Sequence, residues 1–318
     1  MVDNMPDATT TQPVATAPKA KQVYTSKNKP IWCPGCGDFG VFASINTALQ
    51  QLNIDKHNVA IISGIGCSSA MPHVFGTYGV HSLHGRLLPT ATGVKLANHG
   101  LTVIGTGGDG DGYGIGGGHL VHSARRNIDM TYIIMDNETY GLTTGQTSPT
   151  ALLGHKTKST PFGVIEMPIN PMALAISAGA TYVARGFSGD PAHLSQLIKE
   201  GIKHRGFALI DVFSPCVTFN KDNTFEWFRK RVYKLEDTDY VARVQDPSDV
   251  DEVIDKKEQA NRKAQEWGDR IPLGIFYQHE RPTYVDELSA HIEALNEHSP
   301  VEMSSHRRDV SKLVEAMK

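Results

Sequence analysis

No apolar run in this chain approaches the roughly 20 residues that a helix needs to span a bilayer, so no membrane-crossing role is expected. Charge of one sign is lacking as well. The formal net charge of −3 argues against a nucleic-acid partner. The first 22 residues are rich in Thr, Ala and Pro and hold neither an apolar segment nor an arginine. Residues 1–26 therefore read as a disordered arm and not as a signal or transit peptide, which makes a cytoplasmic protein the expectation. Cysteine is scarce, with four in 318 residues, and structural disulfides are not expected in that compartment. No internal repeat is present. What the chain does have is 40% hydrophobic residues over that length, enough to bury one large core or two modest ones.

The chemistry is densest between residues 105 and 137. An apolar run at 101–104 leads into nine glycines in fourteen residues, Gly105 to Gly118. A helical pattern follows, then a second apolar run at 130–135 and Asp136-Asn137. That order is strand, glycine loop, helix, strand: one βαβ unit. Glycines at such a bend let a phosphate approach bare N–H groups at the start of a helix. Asp109, inside Gly-Asp-Gly, offers an oxygen to a metal on that phosphate, and Asn137 at the next strand end offers a second. A glycine-rich surface loop would also account for the composition. A dinucleotide turn is disfavoured, because its acid would repel a pyrophosphate unless a metal lay between them. Gly-Asp-Gly after one strand with Asn at the end of the next is similar to the thiamine diphosphate motif.

Around this unit the chain alternates strand and helix. Trp32-Cys33-Pro34-Gly35-Cys36-Gly37 is a turn opening onto a helix, with Asp38 as the expected N-cap and Phe39, Phe42, Ile45 and Leu49 at helical spacing. A strand at 59–62 precedes a second glycine-bearing turn, Ser63 to Ser69. The loop holding Gly85-Arg86 leads to a helix, and the polar stretch 138–146 reads as a loop over the site. Residues 151–171 read as an extended connection. A short helix at 171–179, a strand at 181–184, a helix at 191–204 and a strand at 208–213 follow, with Ser214-Pro215-Cys216 at the last strand's end. A doubly wound, mostly parallel α/β sheet over residues 27–218 is the expected fold. From 219 to 318 the pattern turns charged, aromatic and irregular, an extension ending in two or three helices. Its charge run at 252–267 reads as a solvated helix face or a surface for a partner subunit.

Cys33 and Cys36 sit on a turn before a helix, and Cys67 and Cys216 at strand ends. In a doubly wound sheet these places can converge on one edge. Four thiolates are what a [4Fe–4S] cluster needs. Tetrahedral zinc is the competing reading, although zinc ribbons usually bring two Cys-x-x-Cys pairs. Buried core thiols beside a redox Cys-x-x-Cys are the third.

The motifs taken together extend further. Cys33-Pro34-Gly35-Cys36-Gly37, Ile65-Gly66-Cys67-Ser68, His84-Gly85-Arg86, Gly108-Asp109-Gly110-Asp111-Gly112, Asn137 to Thr143 and Gly145 to Thr150 form one set. As a set they resemble the thiamine diphosphate-binding β subunit of 2-oxoacid:ferredoxin oxidoreductases over roughly residues 27–300. The 2-oxoglutarate branch fits best, chiefly through His84-Gly85-Arg86 and residues 145–150. The resemblance implies that Cys33, Cys36, Cys67 and Cys216 ligate one [4Fe–4S] cluster. It implies Mg²⁺ on Asp109, Asn137 and the backbone carbonyl of Thr139. Ile65, Gly66, Cys67, Ser68, His84, Gly110, Asp111, Gly141 and Leu142 would line thiamine diphosphate. The implied reaction is oxidative decarboxylation of 2-oxoglutarate with coenzyme A to succinyl-CoA and CO₂, with electrons passing through the cluster to ferredoxin. An α subunit is expected to supply the pyrimidine-binding half, its activating Glu and coenzyme A contacts, in an α2β2 assembly.

His84 and Arg86 are the candidate substrate contacts. A loop histidine is more often a structural hydrogen-bonder, and Arg86 could equally start a helix facing solvent. His73, His81, His99, His119 and His122 are read as structural. Two other function classes fit parts of the pattern: a non-redox thiamine decarboxylase or synthase, and a metal-stabilised subunit without catalysis.

Overall fold

The structure is a computed structural model that describes residues 22–305 and 311–316. In chain order its elements are α1 (Asp38–Leu52), β1 (Val59–Ser63), α2 (Met71–Val74), β2 (Tyr78–His81), α3 (Leu87–Ala97), β3 (Thr102–Gly108), α4 (Gly117–Arg125) and β4 (Met130–Asp136). A short hairpin of β5 (Thr139–Tyr140) and β6 (Gln146–Thr147) follows. Then come α5 (Pro171–Ala178), β7 (Tyr182–Phe187), α6 (Pro191–Lys203), β8 (Phe207–Phe213), α7 (Phe225–Arg229), β9 (Val232–Lys234), α8 (Val250–Ala264), β10 (Ile271–Gln278) and α9 (Tyr284–His291).

Eight of these strands form one sheet in the order β2-β1-β3-β4-β8-β7-β10-β9. The first six run parallel, and β10 lies antiparallel to β7. The central strands β4 and β8 are buried along their whole length, as expected when helices cover both faces of a parallel sheet. On one face α1 and α6 bring Val41, Ile45, Leu194 and Leu197 against Ile61, Ile133 and Ile210. On the other, α3, α4, α5 and α8 bring Leu87, Leu120, Met172 and Ala260 against Ile134 and Leu209. The start of α5 is set by Asn170, whose side chain accepts from the N–H of Ala173, and by Pro171 behind it. Asp190 and Pro191 do the same for α6.

The doubly wound sheet is the fold the sequence led us to expect. Three local readings differ. Residues past 219 do not stay outside the sheet, because β9 and β10 extend it beyond β7. Pro272 and Gly274 inside β10 disguise that strand in the sequence. Asp38 is not an N-cap: Gly37 takes that position without any side-chain cap, and the Asp38 carboxylate turns into the core. The arm ends earlier than residue 26. Tyr24 is fully buried, its hydroxyl donates to the carbonyl of Ile54 at 2.5 Å, and its own carbonyl accepts from the N–H of Gly76. Residues 1–21 of that arm lie outside the described residues. Among the described residues no helix is long and apolar enough to cross a membrane.

Because β1, β3, β4 and β8 are parallel neighbours, the turns that leave their carboxyl ends emerge on one edge of the sheet. That edge is where open α/β sheets bind ligands.

Candidate active site

A cleft of about 510 Å³ opens at this edge, and each wall comes from a different strand end. The turn after β1 supplies Ile65, Gly66, Cys67 and Ser68, and the turn after β2 supplies His84. Asp109, Gly110 and Asp111 follow β3, and Asn137, Thr139, Gly141 and Leu142 follow β4. Residues read from the sequence as cofactor-lining thus stand around one space, although they are spread over 78 positions of chain from 65 to 142.

The glycine run does not pass straight into a helix. It first makes one wide turn, Gly110–Ile115, closed by the N–H of Gly116 donating to the carbonyl of Asp111 at 3.0 Å. Such π turns concentrate at functional sites. The turn points Asp111 back at its neighbours. Its Oδ1 accepts from the N–H of Ile65 at 3.0 Å, the N–H of Gly85 at 2.7 Å and His84 Nδ1 at 2.6 Å. One carboxylate therefore joins three of the four walls. Gly64 is required for this, because a Cβ there would stand 1.9 Å from Asp111 Oδ2. That Oδ2 is buried and has no hydrogen-bond partner among the described residues.

Asp109 is fully buried beside Asp111. The hydroxyls of Ser148 and Thr150 both donate to its Oδ2, the latter at 2.6 Å. Thr150 Oγ1 also lies 2.8 Å from Asp136 Oδ1. Burial raises the Asp109 carboxyl, against the pull of those two hydroxyls. Burial and the charge of Asp211 hold Asp136 well above the usual carboxylate range. Burial likewise pushes Glu138 up to about 8, against its bond from Asn223. Behind them Tyr113, from the wide turn, donates to Asp211 Oδ1 at 2.8 Å, and Arg185 stands 3.6 Å from Asp211 Oδ2. Asp109 with Asn137 and Thr139, all on the cleft wall, offers oxygen donors of the kind that suit Mg²⁺ shared with a phosphate. Among the described residues no three His, Cys, Asp or Glu side chains converge to hold an ion. Two of the three expected Mg²⁺ ligands, the Asn137 amide and the Thr139 carbonyl, fall outside those four types.

The four cysteines are free thiols. Cys67 and Cys216 flank Gly141, where a Cβ would lie 3.6 Å from one sulfur and 4.0 Å from the other. Burial, the Asp38 charge, Cys216 and Cys67 raise the Cys36 thiol, while the N–H of Asp38 opposes them. Burial, Asp38, Cys216 and Cys33 push Cys67 up to about 11. Cys36 and Cys67 thus both lie near enough to Cys216 to be influenced by it. Thiols are the donors that an iron–sulfur or zinc centre takes, although among the described residues no three of them converge closely enough to hold an ion. Trp32 Nε1 donates to the Cys67 carbonyl at 2.8 Å and fixes that turn.

Arg86 is not brought to the cleft. Its Nη1 donates to the carbonyls of Ile115 and Gly85 at 3.3 and 3.4 Å, tying the turn after β2 to the end of the wide turn. Tyr140, which lines the cleft and donates to the Gly110 carbonyl, is a site residue the sequence reading missed. So are Ser148 and Thr150. Their signal was the Gly145 to Thr150 motif, whose hydroxyls were not given a role.

Comparisons with known proteins agree with this geometry. The model for the thiamine pyrophosphate enzyme C-terminal TPP-binding domain matches residues 64–212. The model for the C-terminal part of the pyruvate ferredoxin oxidoreductase β subunit matches residues 216–293. A Sulfolobus 2-oxoacid:ferredoxin oxidoreductase subunit beta is 51% identical over 273 residues, covering 85% of this chain and 88% of that one. The chain belongs to the 2-oxoacid:ferredoxin oxidoreductase β subunits. The 2-oxoglutarate oxidoreductase subunit KorB of Mycobacterium tuberculosis is 37% identical over 321 residues, covering 91% of this chain and 86% of its own. A solved 2-oxoglutarate:ferredoxin oxidoreductase from Magnetococcus marinus, with 2-oxoglutarate, coenzyme A and succinyl-CoA bound, matches with a TM-score of 0.81 at 40% identity. It covers 93% of this chain and 94% of that one. In this β subunit the thiamine-binding match runs from the turn after β1 to the end of β8, and Cys216 opens the second match.

Proposed function

We propose that this β subunit serves a 2-oxoglutarate:ferredoxin oxidoreductase, which converts 2-oxoglutarate and coenzyme A to succinyl-CoA and CO₂ and passes the electrons to ferredoxin. The observation that carries the reading is the convergence of four strand-end turns on one acid-rich cleft, with Cys67 in its wall. The Magnetococcus neighbour, solved with 2-oxoglutarate, coenzyme A and succinyl-CoA bound, favours 2-oxoglutarate among the 2-oxoacids. Thiamine diphosphate, when bound, supplies the electron sink for decarboxylation, and a [4Fe–4S] cluster accepts electrons one at a time.

The residues of this chain have distinct parts in that scheme. Asp109, Asn137 and the Thr139 carbonyl would hold Mg²⁺ against the diphosphate, which otherwise would face Asp109 as a like charge. Asp111 keeps a proton on His84 Nδ1, so the ring's Nε2 is the atom left for a ligand. Tyr140 and Leu142 narrow the cleft against water. Cys33, Cys36, Cys67 and Cys216 would hold the cluster, with Cys67 shared between cluster and cleft.

The second carboxylate of 2-oxoglutarate needs a cation or hydrogen-bond donors, since burying it unpaired costs several kcal/mol. Among the described residues no lysine or arginine lines the cleft. An α subunit is therefore proposed to bring that cation along with the pyrimidine-binding half, in an α2β2 assembly. Four unpaired cysteines suit a reducing cytoplasm.

A broader 2-oxoacid specificity is the second reading. It is favoured by relatives at 51% and 50% identity whose descriptions name only a 2-oxoacid. An anaerobic assay of the complex with a viologen acceptor decides between them. 2-Oxoglutarate should turn over faster than pyruvate and 2-oxobutyrate, and a preference for pyruvate would refute the narrower reading. Anaerobic protein should hold about four iron and four sulfide per chain. Zinc without sulfide would replace the cluster by a structural metal.

A further inference from the structure

We infer that Asp38 is a positioning residue for the four-cysteine site, a buried carboxylate that clasps the three cysteine-bearing turns to one another. The inference rests on the reading of those cysteines as ligands of one cluster. Asp38 is completely buried at the start of α1, two positions past Cys36. It accepts from Ser214 Oγ at 2.9 Å, and Ser214 lies two positions before Cys216. It also accepts from Ser68 Oγ, at 3.3 Å, and Ser68 adjoins Cys67. The backbone makes the same join: the N–H of Gly37 donates to the carbonyl of Pro215 at 3.2 Å. A Cβ on Gly37 would stand 2.5 Å from Ser214 Oγ, so that approach depends on glycine.

Nothing in the hydrophobic core requires an acid there. Besides burial, the largest influences on the carboxyl are Ser214, Ser68, Asp109 and Cys36, and among the described residues no lysine or arginine forms an ion pair with it. A buried acid without a cation is costly, and an apolar side chain of similar size would fill the space at lower cost. What an apolar side chain cannot do is accept from two hydroxyls at once. The turns at 36, 67 and 216 are far apart in the chain, so a shared acceptor is a direct way to fix their mutual distances. Groups that orient ligands in this manner typically carry about 10- to 100-fold in metal retention.

The test uses the full chain co-expressed with its partner subunit and purified without oxygen. Iron, sulfide, the electron paramagnetic resonance spectrum of the reduced protein and the rate of bleaching by a chelator are measured, with thermal unfolding alongside. Asp38→Leu should bleach about 10- to 100-fold faster than wild type and show an altered resonance spectrum. Asp38→Asn, which keeps one accepting oxygen, should fall between. Ser68→Ala and Ser214→Ala should each reproduce part of the effect and add little to Asp38→Leu. These serine variants keep the question answerable if Asp38→Leu does not fold. Wild-type bleaching and an unchanged spectrum in the two serine variants and in Asp38→Asn would overturn the inference. Wild-type protein without iron and sulfide would instead remove the cluster reading, and this inference with it.

Discussion

Replacing Asp111 by alanine should undo the cleft. Its Oδ1 is the shared acceptor of two backbone N–H groups, from Ile65 and Gly85, and of the His84 ring. The Asp111 side chain is 1% exposed, against 40% for His84, so water can replace the bond to the ring but not those to the backbone. A buried N–H deprived of its acceptor costs about 1–3 kcal/mol. Two of them place the loss at about 2–6 kcal/mol, a large share of the about 5–15 kcal/mol that keeps a domain folded. At about 2–4 °C per kcal/mol, the melting temperature should drop by about 4–24 °C. Asp111→Asn retains an oxygen for the same N–H groups and should lose less than half as much. Calorimetric unfolding gives the first comparison, and titration with thiamine diphosphate and Mg²⁺ the second. Both should rank wild type above asparagine above alanine. An alanine variant that melts and binds like wild type would show that the three walls are held by something else.

Three further outcomes follow from neighbouring contacts. Thr150→Val leaves Asp109 Oδ2 with the Ser148 hydroxyl alone and should weaken Mg²⁺-dependent thiamine diphosphate binding by about 10- to 100-fold, measurable by titration calorimetry. Arg185→Met strands Asp211 in the core without its cation and should cost about 3–5 kcal/mol in denaturant unfolding. Burial holds the His204 imidazole below its ordinary 6.5. The unfolded chain therefore takes up a proton there that the folded chain resists, so stability should fall as pH drops below 6.5 and level off above it. His204→Gln should flatten that acid limb in melting curves recorded between about pH 5 and pH 8; identical limbs would refute the assignment.

The parallel sheet was legible because its strands are continuous apolar runs and its turns carry glycine. Met130–Asp136 and Phe207–Phe213 need no context to be recognised, since both faces are covered. Cys67, Asp109, Asn137 and Cys216 stood out in the sequence for a related reason, as each follows the end of such a run. What could not be read were contacts whose partners lie far apart in sequence. Asp38 looks like a cap from its position, and only the approach of Ser68 and Ser214 shows that it faces inward. Arg86 looks available to a ligand until the carbonyls of Gly85 and Ile115 are seen to hold it. Ser148 and Thr150 are ordinary loop hydroxyls until the chain brings them to Asp109.

The order of the strands sets a timetable for biosynthesis. Cys33, Cys36 and Cys67 leave the ribosome early, yet Ser214 and Cys216 follow only after β8, which lies between β4 and β7 in the finished sheet. Tyr113 likewise waits for Asp211 to anchor the wide turn. Domains fold as units and the amino-terminal portion emerges first, so a nascent chain shorter than about 216 residues exposes three thiols and an open glycine loop with neither closed. The turns that carry Cys67, Asp109, Asn137 and Cys216 can therefore come together only once β8 is in place. For the same reason a product stalled before β8 would lack both Cys216 and the Asp211 that anchors the wide turn.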